Sequence, residues 1–124
     1  MKKFLLGVLA ICSALGCRAE NRGFISVGEA EFAKAIEAEG VQIVDARTAN
    51  EYASGHIVGA INIDVNGTEF DAEVAKLDKN RPVAVYCRSG RRSKIAAERI
   101  SALGFKQITE LDGGILSWSG KVEK

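Results

Sequence analysis

The residues able to do chemistry are concentrated in one stretch, Tyr86-Cys87-Arg88-Ser89-Gly90-Arg91-Arg92-Ser93. Cys87 closes the apolar run Val83-Ala84-Val85-Tyr86, which has the composition of a buried strand. Three arginines and a glycine follow. A helical pattern begins at Ser93, placing Ile95, Ala96, Ile100 and Leu103 on one expected face and Gly104 at the stop. A strand, a tight loop and a helix start in that order turn several backbone N–H groups into one concavity. The helix dipole adds positive potential there. A thiol in that concavity, ringed by Arg88, Arg91 and Arg92, is expected to be held as a thiolate facing an anion. A single cysteine ending a strand is by itself most simply an inert core residue. The arginine loop turns the expectation toward a reactive, reachable thiol, and a sulfur sealed from solvent would take the proposed activity with it.

The rest of the chain must hold that loop in place. Phe24-Ile25 reads as a short strand. Ser26-Val27-Gly28-Glu29 has capping-box spacing and opens a helix carrying Phe32, Ala33 and Ile36 as far as Gly40. Val41 to Val44 is the next strand and leads to Asp45 and Arg47. Thr48-Ala49-Asn50-Glu51 repeats the capping-box spacing before a short helix that Gly55 stops. His56 to Gly59 reads as a turn and Ala60 to Ile63 as another strand. Phe70, Val74 and Leu77 mark a third helix, which Asn80-Arg81-Pro82 breaks. The last strand lies within Phe105 to Leu111. Asp112-Gly113-Gly114 then turns the chain into a short helix with Leu116 and Trp118. Strands alternating with helices predict an α/β domain whose parallel sheet is covered on both faces. Such sheets bind ligands at the carboxyl ends of their strands, which is where Cys87 falls.

With 124 residues, 47% hydrophobic and 27% charged, the composition is that of one globular domain. A formal charge of +1 gives no basis for a nucleic-acid partner. The charge is uneven, however, with four basic residues and no acid between Cys87 and Lys94. Met1-Lys2-Lys3 followed by the apolar run Phe4 to Gly16 has the pattern of a bacterial secretory signal over residues 1–17. It is shorter than the ~20 residues of a membrane-spanning helix. Ala14-Leu15-Gly16-Cys17 resembles a lipobox, with alanine where leucine is preferred, and makes Cys17 a lipidation candidate. Ordinary cleavage after Ala19 also fits the small-residue rule. Processing at the lipobox removes Lys2 and Lys3 and takes the formal charge from +1 to −1, and cleavage after Ala19 also removes Arg18 and takes it to −2.

The expected product is exported, either periplasmic or lipid-anchored to the cell envelope, with the anchor as its sole membrane contact. Residues 18–23 form a tether and residues 24–124 the domain. Cys12 leaves with the signal and Cys17 is lipidated or removed, so Cys87 remains as a solitary thiol with no internal disulfide. One histidine and one mature thiol give no metal site, and no motif for a cofactor occurs.

With these residues in hand, the chain resembles the single-domain rhodaneses, the thiosulfate sulfurtransferase family, over residues 24–119. Val44-Asp45-Ala46-Arg47 with Glu51-Tyr52 and Gly55 to Ile63 is similar to the family's first signature. Cys87 to Ser93 is similar to its active loop, and Asp112-Gly113-Gly114-Ile115 with Trp118 to its last signature. Val58 and Asp64 stand where the family often has proline. The resemblance implies a rhodanese-like, five-stranded, mostly parallel sheet with helices on both faces. It makes Cys87 the nucleophile, accepting a sulfane sulfur from a thiosulfate-like donor and passing it to a thiol or cyanide.

On this reading Arg88, Ser89, Gly90, Arg91, Arg92 and Ser93 form the substrate-binding loop. Ser93 is a cap or hydroxyl donor, and Asp45 and Arg47 are a supporting pair. His56 is a hydrogen-bonded turn residue, and Trp118 packs against Gly113-Gly114. Two competitors stay open. A cysteine phosphatase or arsenate reductase would need Cys-x5-Arg, but the sixth residue after Cys87 is Ser93. A non-turnover persulfide carrier or partner-binding module would use the same thiolate.

Overall fold

The computed structural model describes residues 23–124. The signal segment 1–17 with Cys17, and the tether up to residue 22, lie outside the described residues. Five strands form the main sheet: β1 (Ile25–Val27), β2 (Gln42–Asp45), β4 (Ile61–Asn62), β5 (Val83–Tyr86) and β6 (Ile108–Leu111). Their order is β1-β6-β5-β2-β4, and every neighbouring pair is parallel. The helices are α1 (Glu29–Ala35), α2 (Ala49–Ser54), α3 (Phe70–Val74) and α4 (Arg91–Ala102), followed by one 3-10 turn at Ile115–Ser117. Two short strands, β3 (His56–Ile57) and β7 (Val122–Glu123), pair antiparallel beside this sheet.

Strand periodicity divides the core in two. Val83 and Val85 of β5 point to the face covered by α3 and α4, where they join Val44, Phe70, Val74, Ala96, Ala97 and Ile100. Ala84 and Tyr86 point the other way, toward Phe32 of α1 with Ile57 and Leu111. All four β5 residues are therefore buried, as a central parallel strand requires. The α/β sheet with helices on both faces agrees with the fold expected from the sequence.

Local expectations fare unevenly. Thr48 and Glu51 do close a capping box on α2. Ser26 does not cap α1: pairing of β1 with β6 runs through Ser26 to Val27, leaving Gly28 as an N-cap without a side-chain bond. His56 lies in β3 rather than in a turn, because β7 pairs with it. The final helix shrinks to the single 3-10 turn. Helix α4 starts at Arg91, two residues before the expected position, with Gly90 as its N-cap at φ +103°. Ile95 is 49% exposed, and Ser93, Ala96, Ala97 and Ile100 form the buried face.

Candidate active site

Cys87 follows the last residue of β5, and the chain curls straight back over it. The Gly90 N–H donates to Cys87 Sγ at 3.1 Å. The Sγ–H group reaches Ser93 Oγ at 3.3 Å, and the Ser93 hydroxyl donates to Glu110 Oε2 at 2.5 Å. This wrapping corrects the expectation of an exposed thiol, because Cys87 is 1% exposed. Two other bonds fix the loop from behind: the Cys87 carbonyl accepts from Ile115 N at 2.9 Å and the Arg88 carbonyl from Leu116 N at 3.1 Å. The amides of Arg88, Ser89, Arg91 and Arg92 donate to no acceptor among the described residues. Unpaired amides at the start of a twelve-residue helix make an anion-binding arrangement.

Glycine is required at two contacts of this loop. A Cβ on Gly90 would lie 1.9 Å from the Asp112 carbonyl oxygen. One on Gly114, at φ +67°, would lie 2.2 Å from the Arg88 carbonyl oxygen. The Gly113-Gly114 turn thus packs on the active loop. Trp118 packs on the core as expected, meeting Phe32 edge-on at 6.0 Å, and its ring lies over Gly120.

The three arginines differ. Arg88 and Arg91 are exposed and form no ion pair among the described residues. Arg92 is bound to Glu51 of α2 through Nη1–Oε1 at 2.8 Å and Nη2–Oε2 at 3.0 Å. The Arg92 bonds hold the Glu51 carboxyl down at about 2, and Glu51 raises Arg92 in turn. Arg92 is therefore a brace between α2 and α4 with its fork occupied, where the sequence placed it in direct substrate contact.

A second buried network lies under the loop. Asp45 is fully buried and accepts Arg47 Nη2 at 2.7 Å, Arg47 Nε at 2.9 Å and the Tyr86 hydroxyl at 2.7 Å. Tyr86 Oη in turn accepts the Ile57 N–H at 2.9 Å, and Arg47 Nη2 donates to the Gly55 carbonyl at 2.7 Å. Burial and the bond to Asp45 push the Tyr86 phenol well above its usual range. Burial alone would lower the Arg47 guanidinium, but the bonds to Asp45 outweigh it and leave it raised. His56 stacks on Tyr52 at 3.7 Å between ring centres, and its Nδ1 is 2.9 Å from the Tyr52 carbonyl. It belongs to this scaffold.

Sequence reasoning missed Glu110. It sits inside β6, fully buried, and three groups donate to it: Ser93, Ser26 at 2.6 Å and Lys94 at 3.3 Å. A glutamate amid Ile108, Thr109 and Leu111 was the available signal, since strands with both faces covered seldom carry a charge. Lys94 also binds Asp112 at 2.8 Å. Among the described residues no cluster of metal-ligating side chains forms.

A parallel α/β domain whose central strand leads into the one cysteine among the described residues, under a loop whose amides find no acceptor there, defines the class. The chain belongs to the rhodanese-like domain family, whose pattern it matches over residues 29–121. It is similar to the thiosulfate sulfurtransferase GlpE of Shewanella oneidensis, 39% identical over 82 residues, which are 66% of this chain and 79% of that one. It is also similar to the sulfur-carrier candidate YrkF of Bacillus subtilis, 34% identical over 85 residues. These cover 68% of this chain and only 45% of that relative's length. A rhodanese-related protein from Thermoplasma volcanium superposes with a TM-score of 0.70 at 30% identity, over 81% of this chain and 98% of that one.

Proposed function

We propose that the chain is a sulfurtransferase that carries a sulfane sulfur on Cys87. The observation that carries this reading is the Gly90 N–H aimed at Sγ at 3.1 Å, in a loop where four further amides find no acceptor among the described residues. Thiolate attack on the outer sulfur of thiosulfate forms the Cys87 S–S bond. The donor's own S–S bond breaks, and sulfite departs with the electron pair. A thiol or cyanide then takes the outer sulfur and returns the thiolate. Arg88 and Arg91 draw in the dianion, while the amides of residues 88–92 stabilise the persulfide and the leaving sulfonate. Ser89 lies on the exposed rim, Ser93 holds a hydroxyl beside Sγ, and Gly90 sets the turn. Asp45 and Arg47 support the loop through Tyr86.

The burial of Cys87 is the observation that stands against this activity for the closed loop, so the reading requires the loop to part and admit the donor. It also favours a second reading, a persulfide carrier that shields its cargo until a partner opens the loop. The phosphatase reading loses support, because Arg92 is committed to Glu51 and Ser93 occupies the position of the clamping arginine. The secretory pattern over residues 1–17 supports an exported domain, periplasmic or held to the envelope through a lipid on Cys17.

Intact mass spectrometry with and without thiosulfate tests the proposal. A gain of one sulfur on the wild type, absent from Cys87→Ser, supports it, and steady thiocyanate production with cyanide separates turnover from carriage. No adduct with any sulfane donor overturns both.

A further inference from the structure

A thiol 1% exposed under its own loop must pass its proton first to a neighbouring group of the protein. We propose that Glu110, acting through Ser93, is the internal proton acceptor of Cys87, so that one proton is shared between a buried thiol and a buried carboxylate. This rests on Cys87 being the reacting sulfur.

The three groups form an unbroken line inside the protein. Sγ stands 3.3 Å from Ser93 Oγ, and Ser93 Oγ stands 2.5 Å from Glu110 Oε2. All three residues are at most 1% exposed. As drawn by these contacts, the Ser93 proton points at Glu110, so a Ser93 lone pair faces the sulfur. That arrangement suits S–H and opposes S⁻. A concerted shift reverses it. The S–H bond breaks as its proton bonds to Ser93 Oγ. The original Ser93 O–H bond breaks as its proton bonds to Glu110 Oε2. Charge passes from carboxylate to sulfur, Ser93 keeps one proton and now donates to S⁻, and no other reactant is consumed.

The surroundings serve both ends of the shift. Ser26 donates to the other carboxylate oxygen at 2.6 Å, and Lys94 donates to Oε2 at 3.3 Å while Asp112 holds its ammonium at 2.8 Å. At the sulfur end stand the Gly90 N–H and the field of Arg92, itself fixed by Glu51. Glu110 is a positioning residue here, since it reaches the sulfur only through Ser93.

Infrared spectroscopy of the full chain reads the two partners separately, through the C=O stretch of a protonated carboxyl and the S–H stretch of a thiol. Wild type at neutral pH is expected to show a protonated-carboxyl band that Glu110→Gln removes. Cys87→Ser, which has no acidic proton to give, and Ser93→Ala, which cuts the line, are each expected to lose that band as well. A glutamate with a merely structural role stays a carboxylate in all of them. Should Glu110→Gln fail to fold by circular dichroism, Ser93→Ala decides. No such band in wild type, or a band that persists in Ser93→Ala, overturns the relay. Sulfur loading of the wild type from thiosulfate, followed separately by mass, shows whether the sulfurtransferase reading stands or falls independently.

Discussion

Replacing Gly90 by alanine tests the loop with a single carbon atom. Gly90 holds φ +103°, a region that costs an L-residue about 1–2 kcal/mol. The added Cβ would also fall 1.9 Å from the Asp112 carbonyl oxygen, a backbone atom that cannot rotate away. It must retreat by about 1 Å merely to reach the closest approach that real Cβ atoms show, 3.0 Å. The Gly90 N–H travels with it, and a contact of 3.1 Å to Sγ that lengthens by that amount is no longer a hydrogen bond. A bond to a charged acceptor contributes about 1.5–3 kcal/mol, which corresponds to about 10- to 100-fold in rate. Sulfur loading from thiosulfate, timed by intact mass, is therefore expected to slow by that factor in Gly90→Ala. Urea unfolding should register about 1–3 kcal/mol of lost stability. A variant that loads within about twofold of wild type would show that the amide does not hold the reacting sulfur, whatever the stability change.

Two further outcomes follow from the networks around the loop. Tyr86→Phe removes a donor from buried Asp45 and orphans the Ile57 N–H, so urea unfolding should show a loss of about 2–4 kcal/mol; a loss below about 0.5 kcal/mol would refute the network's role. Glu51 is held at about 2 in the folded chain, against a usual 4.5, mainly by Arg92. A depressed carboxylate contributes stability that is complete above the unfolded value and lost as pH falls through the folded one. Acid unfolding curves of wild type and Glu51→Gln should accordingly differ at neutral pH and converge as pH drops from 4.5 through about 2.

The fold was legible because its strands and helices carry strong, local signals. Val83 to Tyr86 is apolar at every position, and the Thr48–Glu51 spacing forms the cap it predicts. The turn chemistry around Gly90 and Gly114 announced a tight loop after Cys87. What failed was set by distant residues. Ser26 has the spacing of a cap, but the register of β1 on β6 brings it opposite Glu110, 84 positions away. Arg92 reads as a substrate ligand until α2 delivers Glu51 to it across 41 residues. Cys87 reads as reachable because the curl of the loop over Sγ is a matter of three-dimensional closure, which no periodicity encodes. His56 likewise leaves its expected turn because β7, at the far end of the chain, pairs with it.

The carbonyls of Cys87 and Arg88 are both tied backward by Ile115 and Leu116, while the neighbouring amides stay open. The loop is thereby polarised: two carbonyls are sunk into the scaffold, while four amides find no acceptor among the described residues. Such a loop discriminates by sign before shape or size matters. On the proposed function, cationic and metal electrophiles would meet an adverse field once the loop parts, whereas oxyanions of quite different geometry would be favoured alike. Chemical choice among those anions is left to the sulfur itself.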